Sequence, residues 1–202
     1  MRRHNRKKRY THPRILILCE GETEEKYFKG ILQDKDFKTK LSGVRVSIFV
    51  SKASDSLKLV KEAIKRRKVA QKEENPFKEV WVIFDHDNHP NHKDAWNLAH
   101  TDQLNIGFSS IAFEQWFLLH FTKSAKAFST PKLLAKQLLK FYPVYSKGQQ
   151  NDFAFLKDRL EVAFSNTNWL RNLKTPENIL IPDQNPWVDV DILVQKLIAG
   201  KF

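Results

Sequence analysis

The chain of 202 residues has little cysteine, no long apolar run and fewer acidic than basic side chains. Its single cysteine, Cys19, excludes an intramolecular disulfide, and its place in an apolar run predicts a buried thiol. No apolar run approaches the roughly 18 residues that a membrane span needs, and no hydrophobic segment follows Arg2-Arg3 as an export signal requires. These absences predict a cytoplasmic protein that does not bind a membrane.

The shortage of acidic side chains makes the chain strongly basic. It contains 35 Lys and Arg against 23 Asp and Glu, for a formal charge of +12. Such a charge favours a polyanionic partner, and nucleic acid is the one we expect. A hydrophobic content of 41% with five Trp is enough for a packed core, which excludes a disordered protein.

Two basic segments are candidates for the nucleic-acid contact. The first is the tail, residues 1–13, which we predict to be flexible; the second lies on a helix predicted after Ser54 or Asp55. Each is either an ordinary solvated surface or a surface that contacts phosphates. The candidate side chains are Arg6, Lys7, Lys8, Arg9, Lys65, Arg66, Arg67 and Lys68.

Strands and helices alternate in the first half of the sequence. Apolar or alternating runs predict strands at 15–19, 44–50, 79–84 and 105–110, and helical patterns lie between them. This order predicts an α/β fold with a mostly parallel, Rossmann-like sheet flanked by helices. We expect one domain over 14–202, with an α/β core at 14–112 and a mainly helical extension at 113–202.

The extension shows helical periodicity in four places. Helices are predicted at 113–121, at 130–141 after Thr130-Pro131, at 153–164, and from Asn185-Pro186 to the C-terminus. Residues 143–151 are rich in polar residues and are predicted to form a loop.

Acidic residues follow two of the predicted strands. Glu20 comes directly after the first strand, and Asp85 and Asp87 come at the end of the third. In a parallel sheet these three carboxylates lie at the same edge, where open α/β sheets bind their ligands. Clustered carboxylates repel unless a cation lies between them, and oxygen ligands suit Mg²⁺, with Mn²⁺ as an alternative.

Other residues near these acids allow more than one interpretation. Glu24 and Glu114 are either first-turn helix acids or further metal ligands. The histidines at 86, 89 and 92 are either loop residues or ligands of Zn²⁺ or Mn²⁺, and His89 could contact a phosphate. The two aspartates alone would also suit a glycosyltransferase, but that function explains neither Glu20 nor the charge of +12.

Three segments carry a resemblance to a known family. The strand with Glu20-Gly21 at 15–24, the aspartate pair at 84–87 and the apolar run with Glu114 at 113–121 resemble the RloB-like proteins of the Toprim-fold superfamily, which also includes OLD-type nucleases. The resemblance extends from about Arg14 to the C-terminal helix. It implies a Toprim-like fold in which Glu20 acts in acid/base chemistry or metal binding and Asp85 and Asp87 bind Mg²⁺.

The family also implies a function. We expect a Mg²⁺-dependent nuclease that hydrolyses DNA or RNA as an effector of bacterial anti-phage defence, with an ATPase as partner protein. The catalytic candidates are Glu20, Asp85 and Asp87. The alternative is a non-catalytic module of a defence complex that binds nucleic acid or docks a partner.

Overall fold

The computed structural model describes residues 12–52, 55–86, 91–175 and 179–202. The predicted basic tail therefore lies almost entirely outside the described residues. The elements, in chain order, are β1 (Arg14–Cys19), α1 (Glu22–Gln33), α2 (Lys35–Lys38), β2 (Arg45–Val50), α3 (Ser56–Lys72), β3 (Glu79–Asp85), α4 (His92–Thr101), β4 (Asn105–Ser110), α5 (Glu114–Leu119), α6 (Pro131–Leu138), α7 (Asp152–Leu156), α8 (Leu160–Lys174), β5 (Trp187–Val188) and α9 (Val190–Ala199).

The described strands form one mixed sheet in the order β2-β1-β3-β4-β5. The first four strands run parallel, and β5 pairs antiparallel with β4. The predicted α/β fold with a mostly parallel, Rossmann-like sheet is therefore confirmed. All four predicted strands are present within about one residue of their expected ends.

The sheet is buried on both faces because the inner residues of its two central strands, at 15–19 and 80–84, are all apolar. Ile15, Ile17 and Cys19 of β1 point into one core cluster, whereas Leu16 and Leu18 point into the other. This is the pattern expected of a parallel strand covered by helices on both sides.

The helices divide between the two faces. α3 and α4 cover one face, and α1 packs on the other together with most of the C-terminal helices. The predicted start of α3 is confirmed, because the Asp55 side chain accepts a hydrogen bond of 2.9 Å from the Lys58 amide. Val60, Ala63 and Ile64 form its buried stripe, as their spacing predicts.

The C-terminal half differs from prediction in two places. The prediction that the last helix begins at Asn185-Pro186 was wrong. Trp187–Val188 form β5, and α9 begins only at Val190. The helix predicted at 153–164 is divided by the 3₁₀ turn Lys157–Arg159 into α7 and α8. A two-residue strand is too short to show a period of two, so tertiary pairing with β4 decides its conformation.

The burial of the single cysteine and the hydropathy of the helices bear on two predictions from the sequence. Cys19 is fully buried in the core, as predicted. Within the described residues, the structure contains no helix that is both long and apolar enough to span a bilayer.

Candidate acidic site at the sheet edge

Glu20 and Asp85 meet at the C-terminal edge of the sheet because they end neighbouring parallel strands. Cys19 of β1 is paired in register with Ile83 of β3. The Glu20 amide donates to the Ile83 carbonyl at 3.0 Å, and the Asp85 amide donates to Glu20 Oε2 at 3.3 Å. The structure thus brings these two predicted site residues together, and their chemical role stays a prediction.

Two further acids, Glu24 and Glu114, are buried close by. Glu24 lies in the first turn of α1 and is 5% exposed, and Glu114 begins α5 and is 2% exposed. A Cβ atom at Gly21 would lie 2.8 Å from Glu24 Oε2, so the glycine makes room for that carboxylate beside the backbone. Ordinary first-turn acids are exposed to solvent, and these two are not.

Three buried carboxylate oxygens of this cluster accept no hydrogen bond from the residues described: Glu24 Oε2, Asp85 Oδ1 and Glu114 Oε2. Leaving one such oxygen unsatisfied costs on the order of 1–3 kcal/mol, and more when it is charged. Buried oxygens of this kind are rare in folded proteins, and an ion is one of their ordinary partners.

The same acids have raised pKa values. Burial raises the pKa of Glu24 to about 7, and the negative charges of Glu114 and Glu20 add to the increase. Burial raises the pKa of Asp85 well above its ordinary value, and the charges of Glu24, Glu114 and Glu20 contribute further. Glu20, Glu24, Asp85 and Glu114 therefore form one electrostatic cluster, hereafter the acidic cluster.

Tyr145 and Lys147 approach the acidic cluster from the loop after α6. The Tyr145 hydroxyl donates to Glu114 Oε1 at 2.6 Å, and Lys147 Nζ lies 3.8 Å from the same oxygen. The Lys147 charge opposes the rise in pKa of both Glu24 and Asp85. Sequence reasoning missed both residues, because nothing in the sequence links a loop tyrosine and lysine to a glutamate about 30 residues earlier.

The donor set suits a hard divalent cation, since it consists of carboxylate oxygens with unsatisfied acceptor positions. Within the described residues, however, no three side chains of His, Cys, Asp or Glu form a group that could hold a metal ion. Asp87 and His89 lie outside the described residues, so the predicted set of Glu20, Asp85 and Asp87 is only partly described.

Two of the three histidines near the aspartates pack against each other. The rings of His86 and His92 have centroids 4.2 Å apart, and His92 is buried. The His86 amide donates to the Ser109 carbonyl at 3.0 Å, which continues the pairing of β3 with β4. The structure therefore gives these histidines a packing role.

The four basic candidates on α3 have different surroundings. Arg66 forms an ion pair with Glu62 at 2.7 Å, and Arg67 pairs with Asp102 at 2.9 Å. Lys65 and Lys68 are exposed. The candidates on the tail, Arg6 to Arg9, lie outside the described residues.

Comparison with known proteins gives one match. A family model described as "RloB-like protein" matches residues 15–197, which includes nearly every described element. No curated protein and no solved structure matches the chain.

Proposed function

The chain belongs to the RloB-like family, and on that premise we propose that it is a Mg²⁺-dependent nuclease that hydrolyses phosphodiester bonds of DNA or RNA. The observation that carries the proposal is the acidic cluster, with its three buried and unsatisfied carboxylate oxygens at the C-terminal edge of a parallel sheet. Ligands of open α/β sheets bind at this edge. The charge of +12 gives the substrate class.

The proposal includes a Toprim-type site and its relation to OLD-type nucleases. The position of Glu20 after β1 and of Asp85 after β3 supports it, since the Toprim pattern has a glutamate and an aspartate pair at these places. Glu20, Asp85 and Asp87 are the proposed catalytic and metal-binding residues. Glu24 and Glu114 are the proposed additional ligands.

A divalent ion bound by these oxygens would neutralise charge on the phosphate and lower the pKa of the attacking water. Asp85 and Glu114 would supply oxygens that no donor in the described part of the chain satisfies. The Asp85 amide donates to Glu20 Oε2 and positions the half-buried Glu20 carboxylate at the sheet edge. There the Glu20 carboxylate would accept or return a proton. In the absence of the ion, burial raises the pKa of Glu24 to about 7, so Glu24 holds a proton close to neutral pH that binding of the ion would release.

We propose further that the nuclease acts as an effector of anti-phage defence in the cytoplasm and works with an ATPase partner. Family membership supports this assignment. We expect the chain alone to cleave nucleic acid slowly and the rate of cleavage to rise when the partner is added.

A second candidate function is a module that binds nucleic acid or docks a partner without cleaving. The lack of a group of three potential metal ligands among the described residues favours it. One experiment separates the two functions: the purified protein is incubated with DNA and RNA in Mg²⁺ or Mn²⁺, with and without the partner. Cleavage that is lost in Asp85→Asn supports the nuclease. If no nucleic acid is cut under any condition, the nuclease proposal fails.

A further inference from the structure

A groove of about 840 Å³ lies on the α3 side of the edge strand β2. Its lining comes from the start of β1, from β2, from α3 and from the segment that leads to β3. The residues that matter here are Arg14, Phe49, Lys52, Lys65, Arg66 and Phe77. We propose that this groove binds single-stranded nucleic acid and leads it to the acidic cluster, an inference that rests on the proposed function.

One end of the groove adjoins Glu20, which belongs to the acidic cluster. Val50, the last residue of β2, is paired with Cys19, and the Ser51 amide donates to the Cys19 carbonyl at 2.9 Å. Glu20 directly follows Cys19, so Val50 and Lys52 at this end of the groove adjoin the candidate catalytic residue. The other end, at Arg14, lies a whole strand away, which is roughly 20 Å at 3.3 Å per residue.

Planar side chains line the groove. Phe49 is 41% exposed, and the Arg66 guanidinium lies 4.5 Å from the centre of its ring. Glu62 holds Arg66 in this position through an ion pair of 2.7 Å. At the far end the Arg14 guanidinium lies 4.4 Å from the centre of the Phe77 ring. Aromatic rings and guanidinium planes are the surfaces on which unpaired bases stack.

Charge in the groove favours a polyanion. Its lining has four cations, Arg14, Lys52, Lys65 and Arg66, against two carboxylates, Glu62 and Glu73. Arg66 pairs with Glu62 at 2.7 Å, which leaves the cations Arg14, Lys52 and Lys65 against the carboxylate Glu73. Lys52 and Lys65 are exposed and can contact phosphates.

The stacking surfaces select for a single strand. In a duplex each base is already stacked and paired, so a phenyl ring in a groove cannot reach a base face. A peptide strand added to the open edge of β2 is the competing occupant, by main-chain pairing. The cations and planar groups of the groove favour nucleic acid, whereas self-association of the chain through β2 would indicate strand addition instead.

The test measures binding of the full chain to a dye-labelled single-stranded oligonucleotide by fluorescence anisotropy, in a chelator and without divalent metal. A duplex of the same length is the comparison. We expect the single strand to bind more tightly. Phe49→Ala should weaken single-strand binding about 5- to 150-fold, the range that loss of one base–aromatic stack gives, and Phe49→Trp should restore it.

A matched pair of lysines on α3 provides the control. Lys65 lines the groove, whereas the exposed Lys61 on the same helix does not. Lys65→Ala should weaken binding and reduce the slope of log affinity against log salt by about 0.7, the value for one phosphate contact on a single strand. Lys61→Ala should change both less.

Three results would overturn the inference: equal affinity for duplex and single strand, wild-type binding by both Phe49→Ala and Lys65→Ala, or self-association of the chain that Phe49→Ala disrupts while oligonucleotide binding is unchanged. Failure of the groove and of the nuclease are distinguishable. Intact binding with no cleavage of any substrate rejects the nuclease alone. Cleavage and binding that are both unaffected in the groove variants reject the groove alone.

Discussion

At the scale of single residues, Asp85 is a carboxylate whose charge is unfavourable in the metal-free fold and central to the proposed chemistry. Its Oδ1 atom is buried without a hydrogen-bond donor among the described residues, and three neighbouring glutamates repel its charge. Asp85→Asn keeps the shape of the side chain and removes the charge. We expect cleavage to be abolished, the metal-free melting temperature to stay equal or rise, and the stabilisation by Mg²⁺ to be lost, as measured by thermal melts with and without Mg²⁺. A variant that still cleaves would exclude Asp85 from catalysis.

Glu24 makes the stability of the metal-free protein depend on pH. Its pKa rises from 4.5 to about 7 on folding, so the folded state holds a proton that the unfolded state has lost between these values. Because the folded state binds more protons there, the free energy of unfolding falls as pH rises through this window. The free energy of unfolding falls in total by on the order of 3 kcal/mol across this window, since each pKa unit corresponds to about 1.36 kcal/mol.

The Glu24→Gln variant tests this effect. It cannot ionise, so the stability difference between variant and wild type should grow in favour of the variant from about pH 4.5 to about pH 7 and then level off. Chemical denaturation at a series of pH values in a chelator measures the difference, in which titrating groups outside the acidic cluster cancel. A difference that does not change with pH would show that Glu24 titrates normally.

Tyr145 is a positioning residue for Glu114. Its hydroxyl donates to Glu114 Oε1 at 2.6 Å, and its ring packs 5.8 Å from that of Phe117. Tyr145→Phe keeps the ring and removes the hydrogen bond. We expect Mg²⁺ or Mn²⁺ affinity, measured by calorimetry, to fall about 10- to 100-fold, the usual effect of removing a residue that orients a metal ligand.

Tyr142→Phe is the matched control for Tyr145. The Tyr142 hydroxyl donates to Asp152 at 2.9 Å and not to the acidic cluster. The same atom is removed from the same kind of buried ring, so Tyr142→Phe should lower stability without changing metal affinity. Equal losses of affinity in the two variants would mean that the hydrogen bond from Tyr145 to Glu114 has no specific role in metal binding.

At the scale of elements, an ion pair joins α8 to α9. Arg171 donates to both carboxylate oxygens of Asp191 at 2.6 and 2.8 Å, and Asp191 is 0% exposed. Removing one partner of a buried pair leaves the other charge unpaired, which costs about 3–5 kcal/mol. Arg171→Met should therefore lower the free energy of unfolding by about that amount in denaturant titrations.

Lys29→Met is the control for that prediction. Lys29 pairs with Glu25 at 2.8 Å on the exposed side of α1. Exposed pairs contribute about 0–1 kcal/mol, so this variant should unfold almost as the wild type does. If both variants lose the same small amount, the Arg171–Asp191 pair does not stabilise the packing of α9.

How far the sequence predicts these elements depends on whether the signal is local. β1 and β3 were predictable because each is an uninterrupted apolar run that ends at an acid, and parallel pairing then places Glu20 beside Asp85. Glu114 stood out as an acid in an apolar run. β5 was missed because two residues show no period, and Tyr145 was missed because its contact with Glu114 joins a loop to a helix 31 residues earlier.

At the scale of the whole molecule, charge is distributed unevenly. An acidic cluster lies at one edge of the sheet, whereas the chain as a whole is basic. The buried acids repel an incoming phosphate unless a cation lies between them. The surrounding charge of +12 attracts the same phosphate from solution. Binding and cleavage should therefore respond to different variables, binding to salt and cleavage to metal.

The basic tail allows these two variables to be separated. Residues 1–12 contain the cations Arg2, Arg3, Arg6, Lys7, Lys8 and Arg9. If they form an arm on the phosphate backbone, deleting them should reduce the slope of log affinity against log salt by at most about 4 for a single strand, at about 0.7 for each of six contacts. Metal affinity, measured by calorimetry, should be unchanged because the acidic cluster keeps all its residues.

A control that removes cations from another part of the surface decides whether the position of the tail or only its charge matters. Lys132, Lys136 and Lys140 are exposed on and just after α6, and replacing them by Ala removes half as much charge as the deletion. If the tail is an arm, this triple variant should leave the slope close to that of the wild type, because only cations that contact phosphate release counterions. A slope that falls by half as much as in the deletion would mean that overall charge alone attracts the nucleic acid. If the deletion leaves the slope of log affinity against log salt unchanged, the tail does not contact phosphates and serves only to solubilise the protein.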